Sequence, residues 1–292
     1  MSDRESVEQP RFRPAKQELQ QVHEEIHTPQ TASPAYRLAF QDDEFLLRQD
    51  LRPVRFQLEL LKPELLLDEA KIASTFVFYG SARIPSPDEA QARIEAATDE
   101  HARKVAERLA AKSHYYDVAR ELARISAQYP VNADGWRNFV VCSGGGPSIM
   151  EAANRGAADV GAKTIGMNIL LPHEQAPNRY VTPDLSFRFH YFALRKMHFT
   201  LRARALAVFP GGFGTFDELF ELLTLIQTGK MKRIPVLLYG RDFWHKVVDF
   251  EALADEGVIA HQDLDLISWV ETAEEGWAVV DRFYADGSSD SE

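Results

Sequence analysis

The sequence predicts an α/β fold: a Rossmann-like, doubly wound parallel sheet with helices on both faces and an N-terminal helical extension. Three observations carry this. Short apolar runs of strand length alternate with longer stretches of helical periodicity. Three of those runs end in glycine-containing turns, at Gly80-Ser81, Ser143-Gly144-Gly145-Gly146 and Pro210-Gly211-Gly212. The chain of 292 residues, 45% hydrophobic and 26% charged, is long enough to bury a core of this kind.

Element by element, residues 1–33 are rich in Gln, Glu, Arg and Pro with little apolar periodicity, and are expected as a disordered tail. Over 34–72, Phe40, Phe45, Leu46, Leu51, Val54, Phe56, Leu58, Leu60 and Leu61 sit among charges, which predicts an extension of two short amphipathic helices. More apolar surface is present there than a short extension hides by folding on itself, so these helices are expected to cap the main domain or a second subunit. The main domain, 73–285, opens with a strand at Thr75–Tyr79; 88–128 has a helical pattern and no strand. Further strands are expected at 139–142, 164–169, 205–209 and 236–239, with helices at 148–159, 192–204 and 215–228 between them. Helices at about 242–255 and 272–284 finish the domain, and 286–292 is a polar tail expected to be disordered.

Composition removes several function classes. The net charge is −11, with 33 Lys and Arg against 44 Asp and Glu, which argues against a grip on a nucleic-acid polymer. The single cysteine, Cys142, forms no disulfide framework and fits a reducing compartment; lying before a turn on a buried strand, it reads as a small hydrophobe. No apolar run reaches the roughly 18 residues of a membrane span, and the N-terminus lacks an apolar signal core, so the expectation is a cytoplasmic protein without a membrane partner. His190 and His198 stand eight apart without a cysteine or carboxylate cluster, and no metal site is expected.

The chemistry concentrates in Phe209 to Glu218. An apolar strand runs into Pro210-Gly211-Gly212-Phe213-Gly214-Thr215 and then into a helix with an apolar stripe, so backbone N–H groups and the positive end of the helix dipole can hold an anion, naturally a phosphate. Glu218 is expected on the first turn of that helix, where a carboxylate beside a phosphate points to chemistry beyond anchorage. With Gly80-Ser81 and Gly144-Gly145-Gly146, three open strand ends gather at the carboxyl edge of one sheet, where ligands of open α/β sheets bind. None of the turns matches GxxxxGK[ST] or GxGxxG, so an ATPase loop and an ordinary dinucleotide fingerprint are disfavoured. Glu151 and Asn154 either reach this edge or form a polar helix face, and Arg83 either meets a phosphate or is merely exposed.

These residues resemble the LONELY GUY (LOG) family of nucleoside-monophosphate phosphoribohydrolases, long described as lysine decarboxylases. The likeness spans roughly 74–240 and rests on Gly80-Ser81-Ala82-Arg83, Gly144-Gly145-Gly146-Pro147, Arg195-Lys196 and Pro210 through Glu218. It implies that Arg195 and Glu218 are the catalytic pair and that Gly211, Gly212, Gly214 and Thr215 cradle the nucleotide phosphate. It further implies substrate contacts from Gly80, Ser81, Gly144, Gly145, Glu174, Lys196 and Thr224, no cofactor, and a homo-oligomer, either a dimer or a higher even-numbered assembly. The extension before residue 72 and the helical insertion at 88–128 resemble the longer bacterial members. The implied reaction hydrolyses the N-glycosidic bond of AMP or a related monophosphate, cytokinin ribosides included, to free base and ribose 5-phosphate. A carboxylate suits its oxocarbenium-like transition state, and a planar guanidinium suits the phosphate or the base. The competing reading is a non-catalytic carrier on the same fold, binding a nucleotide or molybdenum cofactor, which would not need Arg195 and Glu218 together.

Overall fold

The structure, a computed structural model, describes residues 14–21, 26–172 and 176–285. The chain forms two compact units, Met1–Arg55 and Phe56–Glu292. In the first, the described elements are α1 (Ala15–Gln21), single 3-10 turns, and α2 (Asp43–Leu46), whose N-cap Asp42 accepts a hydrogen bond from the Phe45 N–H. Helix α3 (Arg52–Glu69) follows and runs on into the second unit. Residues 34–72 thus hold a string of single turns and one helix of 18 residues, in place of two short amphipathic helices. Pro53 lies in the first turn of α3, where a missing N–H costs nothing. Pro63 gives up one intrahelical bond and is kept by burial, together with Leu67. Phe40, Phe45, Phe56, Leu58 and Leu61 are all exposed. The expected disorder of 286–292 and of much of 1–33 falls outside the described residues.

The second unit continues through β1 (Thr75–Tyr79), α4 (Pro87–Glu95), α5 (Glu100–Ala110), α6 (His114–Ser126), β2 (Val140–Ser143), α7 (Ile149–Asp159) and β3 (Ile165–Ile169). It then runs through β4 (Ser186–Phe189), α8 (Phe192–Leu201), β5 (Ala203–Val208), α9 (Phe213–Gln227), β6 (Val236–Tyr239), α10 (Arg241–Val247), α11 (Phe250–Asp255), β7 (Ile267–Val270) and α12 (Ala273–Ala285). The seven strands form one parallel sheet in the order β4-β3-β2-β1-β5-β6-β7. The Rossmann-like α/β class is therefore what the chain adopts. Two strands, β4 and β7, were not expected: each has four residues and sits on an edge, where partial exposure weakens the apolar signal. Helix α8 ends at Leu201 rather than 204 because Ala203 already pairs with Thr75 of β1. The helix expected at 242–255 is two, parted where Asp249 caps α11 by accepting from the Ala252 N–H at 3.0 Å.

Successive residues of a strand point to opposite faces, and both faces are buried. Val77, Tyr79, Leu206, Val208 and Leu238 pack with Phe199 of α8, Leu219 and Leu222 of α9, Trp244 and Phe250. Phe76, Phe78, Ala205, Ala207 and Leu237 pack instead with Tyr116 and Leu122 of α6, Ile149 and Ala153 of α7 and Val280 of α12. The chain leaves β1 outward through β2, β3 and β4, then returns to the other side of β1 as β5. The carboxyl ends of β1 and β5 are thus the topological switch point, where helices on either side diverge and leave a crevice. Among the described residues no helix is long and apolar enough to cross a membrane.

Candidate active site

The switch point is where the chemistry gathers. The Ser81 N–H donates to the Pro210 carbonyl at 3.1 Å, tying the turn after β1 to the turn after β5. Gly80 allows α7 to approach, since a β-carbon there would stand 2.7 Å from the Ile149 side chain. After β2, Gly145 has φ +73° and Ser148 φ +65°, both left-handed. Two amides, buried Asn154 and half-buried Asn178, hold this turn: the Ser143 hydroxyl donates to Asn154 Oδ1 at 2.7 Å, and Asn178 Nδ2 donates to Asn154 Oδ1 at 2.9 Å and to the Gly146 carbonyl at 3.0 Å. Asn154 is thereby a fully buried support of the turn, not a surface polar residue.

Arg195 comes from α8 and lies against that turn. A β-carbon on Gly144 would be 2.6 Å from Arg195 Nη2, so glycine makes the space the guanidinium occupies. Arg195 Nε donates to the Met167 carbonyl in the middle of β3 at 2.7 Å, and its guanidinium carbon sits 5.0 Å above the Phe199 ring, one turn along the same helix. Nη1 then faces Glu218 Oε1 at 3.5 Å, with the two side chains only 11% and 13% exposed. Burial raises the Glu218 carboxyl to about 7, against the lowering influence of Arg195. A carboxyl raised toward 7 by burial beside one guanidinium is an electrostatic pattern found at functional sites. Burial also raises the Tyr79 hydroxyl and the Cys142 thiol on the strands beneath, helped by the Glu218 charge, so both stay neutral core groups.

Glu218 is the sixth residue of α9, in its second turn, because the helix begins at Phe213, two residues before the expected start. Its N-cap is Gly212, which offers no side chain to the first N–H groups. A β-carbon on Gly211 would collide with the Thr215 side chain, whereas one on Gly212 or Gly214 would meet nothing within 4 Å. None of these three glycines has a left-handed φ. Only Gly211 is required for room, beside Thr215; Gly212 and Gly214 leave open space at an uncapped helix N-terminus, the kind of position that favours an anion.

The structure therefore brings Gly80, Ser81, Gly144, Gly145, Arg195, Gly211, Gly212, Gly214, Thr215 and Glu218 to one edge of the sheet. Lys196 is beside them, but its ammonium is already bound by Asp217 and Glu221, each at 2.9 Å, which makes it a link between α8 and α9. Thr224 is not brought to this group. It lies more than a turn beyond Glu218, donates to the Phe220 carbonyl, and lines an apolar cavity of about 80 Å³ with Leu223, Phe250 and Leu264. Glu174 lies outside the described residues. Glu151 accepts from the Tyr116 hydroxyl at 3.1 Å, and Arg83 is exposed. Sequence reasoning missed Met167, Asn178, Asp217 and Glu221. Only the last two had a signal, their i, i+4 spacing on one helix; a backbone carbonyl as acceptor has none. Among the described residues no three His, Cys, Asp or Glu side chains converge as metal ligands.

Residues 150–280, which include Arg195 and Glu218, match the family model described as "Possible lysine decarboxylase". The chain is 26% identical over 152 residues to the cytokinin riboside 5'-monophosphate phosphoribohydrolase LOG2 of Arabidopsis thaliana, an alignment covering 51% of this chain and 67% of that protein. Against the LOG enzyme of Oryza sativa it is 28% identical over 167 residues, covering 56% and 65%. Against the pyrimidine/purine nucleotide 5'-monophosphate nucleosidase of Escherichia coli K12 it is 31% identical over 144 residues, 44% of this chain but only 29% of that one. Among solved structures, the molybdenum cofactor binding protein of Rippkaea orientalis aligns with a TM-score of 0.43 at 17% identity, over 73% of this chain and 96% of that one. A likeness of that size says nothing about function. By its motifs, the family model and these sequence relatives, the chain is a distant relative of the LONELY GUY (LOG) family.

Proposed function

We propose that the chain is a nucleoside 5'-monophosphate phosphoribohydrolase that splits the N-glycosidic bond of AMP or a related monophosphate to give the free base and ribose 5-phosphate. One observation carries the reading: a buried carboxylate, Glu218, paired with Arg195 and set one and a half turns from an uncapped helix N-terminus at the switch point. The anion site takes the 5'-phosphate and fixes the sugar, so binding energy distant from the reacting bond is available for catalysis. The C1'–N bond breaks with its electron pair leaving on the base, which takes up a proton from solvent. Positive charge then spreads over C1' and the ring oxygen, where the Glu218 carboxylate stabilises it. Water adds to C1' and loses its proton toward Glu218, whose value near 7 suits a group that takes and returns a proton. Arg195, locked by Met167 and Phe199, holds the carboxylate in place and offers its remaining donors to the substrate. The relatives named for this activity support the reading at the level of the reaction class.

Release of ribose 5-phosphate, measured over a panel of nucleoside monophosphates, tests it. The panel also separates adenine, N6-substituted adenine, guanine and pyrimidine preferences. AMP is expected to exceed adenosine by at least about a hundredfold in kcat/KM, because the nucleoside leaves the anion site empty. Equal values would remove the phosphate cradle from the argument. Binding of AMP with no release of sugar from any member of the panel would instead support a carrier.

A further inference from the structure

Helix α8 carries Arg195, yet it opens without a cap of its own. Its N-cap is Tyr191, whose side chain makes no capping bond, although the first N–H groups of a helix lack intrahelical acceptors. An acceptor for the N–H of the N-cap residue itself comes from another element. Glu59 of α3 turns its carboxylate onto the segment before α8: Oε1 accepts from the His190 N–H at 3.0 Å and Oε2 from the Tyr191 N–H at 3.2 Å. A negative charge at this end also complements the helix dipole. The contact leads straight to the site, because the Tyr191 carbonyl accepts from the Arg195 N–H at 3.1 Å, and the Arg195 guanidinium faces Glu218.

The same face of α3 grips α8 along its length. The Phe56 ring meets Tyr191 edge-on at 4.2 Å between centroids. Midway, the buried His198 ring places Nε2 3.1 Å from the Glu59 carbonyl and Nδ1 3.4 Å from Glu64 Oε1. At the far end, Arg202 binds Glu64 Oε2 and Asp68 Oδ1, each at 2.8 Å.

We infer that Glu59 is a positioning residue for the site: its carboxylate caps α8 from outside and thereby sets where Arg195 stands relative to Glu218. The phosphate cradle belongs to α9 and the turn after β5, so it does not depend on this cap. Loss of the cap should therefore disturb the reacting end of the substrate and spare its anchorage. The kinetic part of the inference rests on the hydrolase reading; the structural part does not.

The test compares Glu59→Ala and Glu59→Gln with the parent full-length chain. Amide hydrogen exchange is expected to quicken at residues 190–196 in Glu59→Ala, with the β1, β2 and β5 amides unchanged. On AMP, kcat is expected to fall about tenfold with KM within about twofold. Glu59→Gln keeps one acceptor oxygen of two and is expected to fall between, in both readouts. Unchanged exchange at 190–196 would overturn the inference, as would faster exchange spread evenly over the sheet, or kcat equal to the parent's. Should Glu59→Ala fail to fold, Glu59→Gln decides alone by the same two readouts. If the parent itself releases no ribose 5-phosphate, the hydrolase reading falls while the exchange measurement still judges the cap.

Discussion

The two glycine-rich turns at the carboxyl edge look alike as sequence and differ as structure. The turn after β2 is full. A β-carbon on Gly144 would be 2.6 Å from Arg195 Nη2 and one on Gly145 2.6 Å from Asn168 Oδ1, and Gly145 is left-handed at φ +73°. The turn after β5 is open. Gly212 and Gly214 have free space within 4 Å of where a β-carbon would stand, and α9 begins there with no side-chain cap. A full turn has its occupant already, the guanidinium of Arg195, whereas an open one at a helix N-terminus is shaped to receive something. On the proposed function, one turn builds the site and the other accepts the ligand.

The largest effect should come from the carboxylate between them. Glu218→Gln keeps the shape and removes the charge, and kcat is expected to drop by about a thousandfold or more while AMP still binds, read by steady-state kinetics and calorimetry. The parent's kcat/KM should climb with pH through about 7, the value to which burial raises Glu218, and then level off. Stability runs the other way. Because the folded value near 7 lies above the ordinary 4.5, the penalty of the buried charge is absent below about 4.5 and complete above about 7. Glu218→Gln should therefore be more stable than the parent at pH 8, by something on the order of 1–3 kcal/mol, and lose that advantage at pH 4.5. A thermal advantage independent of pH would mean that the carboxylate is not held near neutrality.

A smaller effect separates the two turns. Gly144→Ala pushes its methyl group into the space of the Arg195 guanidinium, and kcat is expected to fall about a hundredfold. Gly212→Ala meets no protein atom, so unfolding free energy should stay within about 0.5 kcal/mol of the parent. Its methyl group would instead crowd the anion, and the expected mark is a raised KM for AMP with kcat little changed. Were Gly212→Ala to leave KM untouched while Gly144→Ala raised it, the assignment of builder and receiver would have to be exchanged.

The strands that lie inside the sheet were legible because a strand buried on both faces is a near-continuous apolar run, as in Thr75–Tyr79 and Ala205–Val208. The four-residue edge strands Ser186–Phe189 and Ile267–Val270 were not, since their alternation is too short to stand out. In the candidate site, the glycine turns and the positions of Arg195 and Glu218 could be read from motif spacing. The bonds that tie Lys196 to Asp217 and Glu221, and the placement of Thr224 against an apolar cavity, could not.

What the sequence determined by itself is local: the inner strands, the helices between them, and where the backbone must turn. These depend on neighbours a few residues apart, so periodicity and glycine report them directly. Only the tertiary structure decided that β5 returns beside β1, and so which turns meet. It alone placed Glu218 where burial raises its carboxyl and put Glu59 at the head of α8, 132 residues before Tyr191. Those outcomes depend on desolvation and on contacts between distant segments, which no local pattern encodes.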